Sequence, residues 1–218
     1  AGPDPGVGQV SAQGPERAAT ALRWLGHQVE DGEVAQHLAE LAALLRTMGP
    51  AYTQEDLMRT LFERLGKTPR ADEVVYVTGV YSGPRYRSWL FPGVGEVLEE
   101  LHALGIPMGL IANTDVPGWV MDRNFRGVGL FHYFPVRLYS GDEGIEKPDP
   151  RIFELAAERA NLSGRRLIYM GDRVDKDVAG ASAAGWSSIL FRSALENSGG
   201  AADFEIDSWS ELKAILLE

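Results

Sequence analysis

The hydrophobic positions fall into two textures along the chain. From about Val7 to Gly83 they recur at three- and four-residue steps. Val34, Leu38, Leu41, Leu44 and Leu45 form one such series, which predicts one face of a helix. Thr53 stands ahead of Leu57, Leu61, Phe62 and Leu65, with Asp56 three residues on, so the spacing predicts a capped helix that ends at Gly66. Asp72 to Tyr81 is ambiguous. Val74, Val75, Val77 and Val80 are β-branched and favour a strand, but they sit in a helical neighbourhood.

From about Trp89 onward, short apolar runs alternate with helical stripes. Val94, Val97, Leu98, Leu101 and Leu104 make a stripe closed by Gly105. Pro107 to Ala112, Pro135 to Ser140, Leu167 to Met170 and Ser187 to Phe191 read as buried strands, with Asp203 to Ile206 as a fifth. Between them, Asp149 caps a helix with Pro150 at its first position and Ile152, Phe153 and Ala156 facing inward. Val178 to Ala184 is helical up to Gly185, and Ser208 to Leu217 closes the chain as a helix. Strands alternating with helices predict a mostly parallel sheet covered on both faces, an α/β fold. No internal repeat is visible. Low complexity is confined to the Gly/Pro-rich start and to Asn197–Ala202.

A length of 218 residues suits one domain with an insert or two small domains. The formal net charge of −10 argues against nucleic acid or an anionic membrane as a general partner. A small anionic substrate stays compatible with it, because a bound metal or a local cation reverses the field. The absence of cysteine removes disulfides, thiolate catalysis and Cys-based zinc sites together. The apolar runs are too short to span a bilayer, and Ala1 to Gly14 has no apolar h-region, so a cytoplasmic protein is expected.

In a parallel sheet, ligands bind at the carboxyl ends of the strands. Three of the predicted strands are followed by polar segments. After Met170 comes Gly171-Asp172-Arg173-Val174-Asp175-Lys176-Asp177. Asp172 and Asp177 could ligate Mg²⁺ directly or through its waters, or could simply cap a turn and open a helix. After the second strand comes Lys147, in a loop stiffened by Pro148 and Pro150. It could neutralise a phosphoryl group, or lie on the surface near Glu146 and Asp149. After the first strand come Asn113, Thr114 and Asp115, which could hydrogen-bond an oxyanion or cap the turn. His27, His37, His102 and His132 show no metal-ligand spacing. Tyr76, Tyr81, Tyr86 and Trp89, with Arg85 and Arg87, line either a pocket or a packed hinge, and aromatic residues more often serve the latter.

Taken together, "GLIANTD", "GIEKPDPRIF" and "GDRVDKDVAGASAAG" resemble the second, third and fourth motifs of the haloacid dehalogenase (HAD) superfamily, especially its phosphatases with a helical cap. "WLFPGVGEVLEELHALGI" resembles that family's return from cap to core. The resemblance covers the chain from about Val7 to its end. It implies a Rossmann-like three-layer core, with a helical cap at residues 7–84, the core at 85–218 and a residual segment at 1–6. It also implies a Mg²⁺-dependent phosphatase of small phosphorylated metabolites that works through an aspartyl-phosphate. By residue, it implies that Lys147 contacts the phosphoryl group, Asn113 and Thr114 supply polar donors, Asp172 binds Mg²⁺ and Asp177 supports the ion. A receiver-type signalling domain is set aside because Lys147 precedes the late acidic pair and a helical cap is present.

Two departures accompany the resemblance. The family's first motif is an apolar strand, central in the sheet, that ends in an aspartate nucleophile with a second acid two residues later. No such strand is found. Asp4 is the acid nearest the expected place, but no apolar run precedes it and Gly6 stands two residues on. The strand could lie upstream, be supplied by another segment or chain, or be lost. Ala112 also stands where the family usually places Ser or Thr before the asparagine. The competing expectation is therefore a catalytically inactive HAD-like protein that binds a ligand or a partner protein. Substrate identity and oligomeric state are not set by the sequence.

Overall fold

The computed structural model describes residues 12–45, 47–84, 90–192 and 202–217. Four helices come first: α1 (Gly14–Trp24), α2 (Asp31–Leu45), α3 (Gln54–Arg64) and α4 (Ala71–Ser82). Then follow α5 (Val94–Ala103), β1 (Gly109–Ala112), α6 (Gly118–Val128), β2 (Val136–Tyr139), the single turn α7 (Ser140–Glu143) and α8 (Pro150–Arg159). The chain continues through β3 (Ile168–Gly171), α9 (Ala179–Ala183), β4 (Ser187–Phe191), β5 (Phe204–Ile206) and α10 (Leu212–Leu217). The architecture is α/β, with parallel strands covered by helices, as the alternating texture predicts.

The helices form where apolar stripes and end signals coincide. In α2 the stripe is Val34, Leu38, Leu41 and Leu45, all buried. Leu44, expected on the same face, is 54% exposed, because a position three after Leu41 rotates past the edge of this narrow stripe. At the head of α3, the Thr53 backbone N–H and hydroxyl both donate to Asp56 Oδ2, at 3.0 and 2.9 Å. The ambiguous stretch resolves as α4. The Arg70 N–H donates to Glu73 at 2.8 Å, two acids stand in the first turn, and Val74 and Val77 share the buried face. Leu104 is exposed because α5 ends at Ala103 and Gly105, at φ +71°, turns the chain.

Helices α1 to α4 enclose one apolar cluster built from Ala18, Leu22, Val34, Leu41, Met58, Phe62, Val77 and their neighbours. The strands carry clusters on both faces. Ile189, Phe191 and Ile206 pack with Val97, Leu101 and Leu212 of α5 and α10. Ile111 and Leu138 pack with Ile152, Phe153 and Ala181 of α8 and α9. Every strand pairing is parallel, but the described strands form two sheets. β1 pairs with β2, from Gly109 opposite Val136 to Ala112 opposite Tyr139. The second sheet has the order β3-β4-β5.

The helical unit meets the sheet unit at the carboxyl ends of β1 and β2. The Gln54 N–H donates to the Asp115 carbonyl at 2.7 Å, and Trp119 Nε1 donates to Glu55 at 2.5 Å. Arg123 donates to the carbonyls of Gly79 and Gly83 at 3.1 and 3.0 Å, closing the C-terminal end of α4. Among the described residues, no helix is long and apolar enough to cross a membrane.

Candidate active site

The three polar segments converge on Lys147. This lysine is 8% exposed, so the surface placement considered from the sequence does not occur. Its ammonium donates to Asp177 Oδ1 at 2.6 Å, to the Tyr169 hydroxyl at 2.7 Å and to the Ile111 carbonyl at 3.2 Å. All three ammonium protons therefore have acceptors. The cation stands between the carboxyl ends of β1 and β3, contributed by neither sheet. It reaches there because Asn113 fastens its main chain. Asn113 Nδ2 donates to the Lys147 carbonyl at 2.8 Å, and the Lys147 N–H donates to Asn113 Oδ1 at 2.9 Å.

Asp177 is held as firmly as the lysine. It is 3% exposed, and its Oδ2 accepts the N–H groups of Asp172 and Arg173 at 3.0 and 2.9 Å. The carboxylate is brought back over the end of β3 by a single wide π-type turn, Val174–Val178, which leads into α9 where the sequence predicts a helix. Gly171 makes this possible, because a Cβ there would overlap the Asp177 carboxylate. Gly180 of α9 allows close approach to α8, since a Cβ there would stand 2.6 Å from the Phe153 ring.

Thr114 is placed by β2. Its N–H donates to Ser140 Oγ at 2.9 Å, and its carbonyl accepts the Gly141 N–H at 3.1 Å. Its own hydroxyl accepts the Val116 N–H at 3.0 Å, which leaves the hydroxyl proton to donate elsewhere. Two participants were missed from the sequence. Ser140 supports the Thr114 loop, and its signal is a hydroxyl at a strand end. Tyr169 lies within an apolar run that reads as plain strand. Burial, with the Asp177 and Asp172 carboxylates nearby, pushes its phenol well above the usual range, so it remains a donor. It donates to the Ile111 carbonyl at 2.9 Å. Asp4 and the Tyr86, Trp89, Arg85 and Arg87 group lie outside the described residues.

The donor set suits a hard cation. Asp172 directly follows β3, and three of the roughly four lone-pair positions of Asp177 are taken by Lys147 and two N–H groups. Among the described residues no group of three or more acidic or histidine side chains forms a metal cage. Mg²⁺ does not require one. It keeps several waters and is commonly held by one or two carboxylates plus substrate phosphate. Asp172 as ligand, with Asp177 fixing the loop around it, fits that pattern.

Known proteins resemble this chain in sequence and fold. Residues 12–185 match the family model of the haloacid dehalogenase-like hydrolases. The chain is 30% identical over 167 residues to glyceraldehyde 3-phosphate phosphatase of Methanopyrus kandleri, which covers 72% of this chain and 70% of that relative. It is 32% identical over 167 residues to phosphoserine phosphatase of Thermus thermophilus, covering 76% of this chain and 64% of that relative. The chain thus spans about two thirds of the length of these relatives. Among solved structures, a 2-haloacid dehalogenase from Pseudomonas syringae is 26% identical, with a TM-score of 0.64 over 95% of this chain and 92% of that one. A HAD phosphatase from Thermococcus onnurineus is 22% identical, with a TM-score of 0.59 over 95% and 89% of the two chains.

Proposed function

The chain belongs to the haloacid dehalogenase-like hydrolase family, and we propose that it serves phosphoryl transfer from small phosphorylated metabolites. The observation that carries this reading is the buried Lys147 ammonium, tied to Asp177 and standing where β1 and β3 both end. A fixed cation at that place neutralises charge on a phosphoryl group without reorganising during the reaction. Relatives named glyceraldehyde 3-phosphate phosphatase and phosphoserine phosphatase, 30% and 32% identical to this chain, support the reading.

In this reading Lys147 exchanges its 3.2 Å bond to the Ile111 carbonyl for one to a phosphoryl oxygen and so orients the group. Thr114, with its hydroxyl proton available, donates to a phosphoryl oxygen, and Asn113 keeps Lys147 in place through its main chain. Asp172 holds Mg²⁺, with Asp177 supporting the loop. The ion, when bound, supplies charge neutralisation at the phosphoryl oxygens. By the family resemblance, an aspartate not placed among the described residues attacks phosphorus, a second acid protonates the alcohol oxygen as the P–O bond breaks, and water then cleaves the aspartyl-phosphate to phosphate and free carboxylate. Helices α1 to α4 act as the cap over this site, and the protein works in the cytoplasm.

A second reading is an inactive relative that binds a ligand or a partner. It is favoured by one observation: among the described residues, no strand carries an acid into the space between β1 and β3.

The deciding experiment measures phosphate release from an aryl phosphate by the 218-residue chain, with Mg²⁺ and with chelator. Metal-dependent release that disappears in Asp172→Asn supports the enzyme. No release from a chain of confirmed mass supports the binding module. In a separate melt, Mg²⁺ should raise Tm in the native chain and leave Asp172→Asn unchanged. An equal rise in both would remove Asp172 from the metal site.

A further inference from the structure

We infer that the cavity between the end of α4 and α6 binds one small organic acid, a carboxylate carrying an apolar body, with Arg123 and Asn124 as its polar anchors. The cavity has a volume of about 460 Å³, within the range of small-molecule sites. Gly79, Val80 and Gly83 line it on one side, and Arg123, Asn124 and Gly127 on the other. Thr114, Lys147, Asp172 and Asp177 are not among its walls. It is set apart from them along α6, since Arg123 and Gly127 lie about 7–14 Å further down the axis than Gly118.

The first support is Asn124. It is 9% exposed and lines the cavity, yet its side-chain amide has no hydrogen-bond partner among the described residues. A buried amide left unpaired is costly, and its N–H groups and carbonyl oxygen call for a polar group in the space beside them.

The second support is Arg123. Two of its five N–H groups donate to the Gly79 and Gly83 carbonyls, at 3.1 and 3.0 Å, which leaves three. No carboxylate among the described residues pairs with it, in a chain whose net charge is −10. The two carbonyls hold the guanidinium fork in place, and a fork held in place recognises a carboxylate at low ordering cost. Arg17 of α1 lines the same cavity and is anchored likewise, on the Val80 and Tyr81 carbonyls at 2.9 and 2.6 Å. One guanidinium from the helical unit and one from the sheet unit give the cavity a positive field.

The third support is the rest of the wall. Val80, Pro84 and glycine backbone make it, and a Cβ on Gly127 would meet nothing within 4 Å, so the space above α6 is open there. Such a wall accepts an apolar body and offers little to a strongly hydrated ion. An occupant touches both units and strengthens the seam that Arg123 makes. The inference stands apart from the phosphatase reading.

The test titrates the 218-residue chain with isovalerate by isothermal calorimetry at constant ionic strength. One site per chain should saturate. Isovaleramide has the body without the charge, and acetate the charge without the body; each should bind about tenfold more weakly. Asn124→Leu removes an unpaired amide, so it should melt no lower than the native chain while binding isovalerate about tenfold more weakly. Arg123→Gln should weaken binding by at least as much. A titration that stays flat up to about 10 mM would assign the space to water and overturn the proposal. Isovaleramide or acetate binding as tightly as isovalerate overturns the ligand class. Undiminished binding in a folded Asn124→Leu places the ligand elsewhere and overturns the site. If Asn124→Leu does not fold, the same outcome in Arg123→Gln decides that point.

Discussion

At the scale of single residues, the Lys147–Asp177 pair is the feature with the largest expected effect. Both partners are nearly inaccessible, and the pair is closed by Tyr169 and two backbone N–H groups. Breaking a buried pair from one side leaves an uncompensated charge, at about 3–5 kcal/mol. Lys147→Met should therefore lower unfolding free energy by that amount in a denaturant titration. The double variant Lys147→Met with Asp177→Leu should lose less than the two single variants summed, since no charge is then stranded. Additive losses would mean that the two side chains act independently. The identity of these residues was legible in the sequence, because lysine and acids after strands are conspicuous. Their burial was not, since it depends on Gly171 admitting a carboxylate from six residues later in the turn and on Asn113 fastening a loop 34 residues away. Tyr169 was illegible for another reason: in a strand, a tyrosine reads as one more apolar residue until its hydroxyl finds a partner.

At the scale of elements, the helices were legible wherever period and caps agreed, and the departures are local. Leu44 and Leu104 fall off their faces by one position, and a wide turn precedes the helix expected from Val178. The strands came out within two residues of their expected bounds, because short apolar runs between turn residues have few other places to go. What no local pattern specifies is the attachment of β5, three residues long, to β4. Asp203 supplies part of it. Its carboxylate accepts from the Ser188 N–H at 2.7 Å and from the Ser188 hydroxyl at 3.0 Å, joining the head of β5 to β4. Those bonds, backbone first, hold its pKa below the usual carboxylate value. The sign follows from the lowered folded-state pKa. The contribution is complete above the unfolded value near about 3.9 and is lost as pH falls through the lower folded value. Asp203→Ala should thus melt below the native chain at neutral pH, and the difference should shrink as pH is taken down through that window. A difference that stays constant into acid would assign the effect to lost packing instead.

At the scale of the whole molecule, the chain holds two kinds of interior that share no buried cluster. The core of α1 to α4 draws on those helices and their connections alone, and three further clusters sit among the strands and the later helices. The hydrophobic texture of the sequence also changes near residues 83 to 89. The seam was not readable, because its partners are distant in sequence. Gln54 meets Asp115, Glu55 meets Trp119, and Arg123 meets Gly79 and Gly83, at separations of 40 to 64 residues. These bonds are mostly exposed, and each contributes about 0.5–1.5 kcal/mol net. A few of them are small beside the roughly 5–15 kcal/mol that stabilises a domain, so the seam couples the units without fusing them. Thermal unfolding should then depart from two-state behaviour, with a calorimetric enthalpy above the van't Hoff value. Gln54→Ala combined with Arg123→Ala should separate the steps further. It should lower the transition that exposes the amides of α1 to α4 to exchange more than the transition that exposes the strand amides. Equal enthalpies in the native chain, or one step that moves as a whole in the double variant, would show that the two interiors unfold as a single cooperative body and that the seam is stronger than its bonds imply.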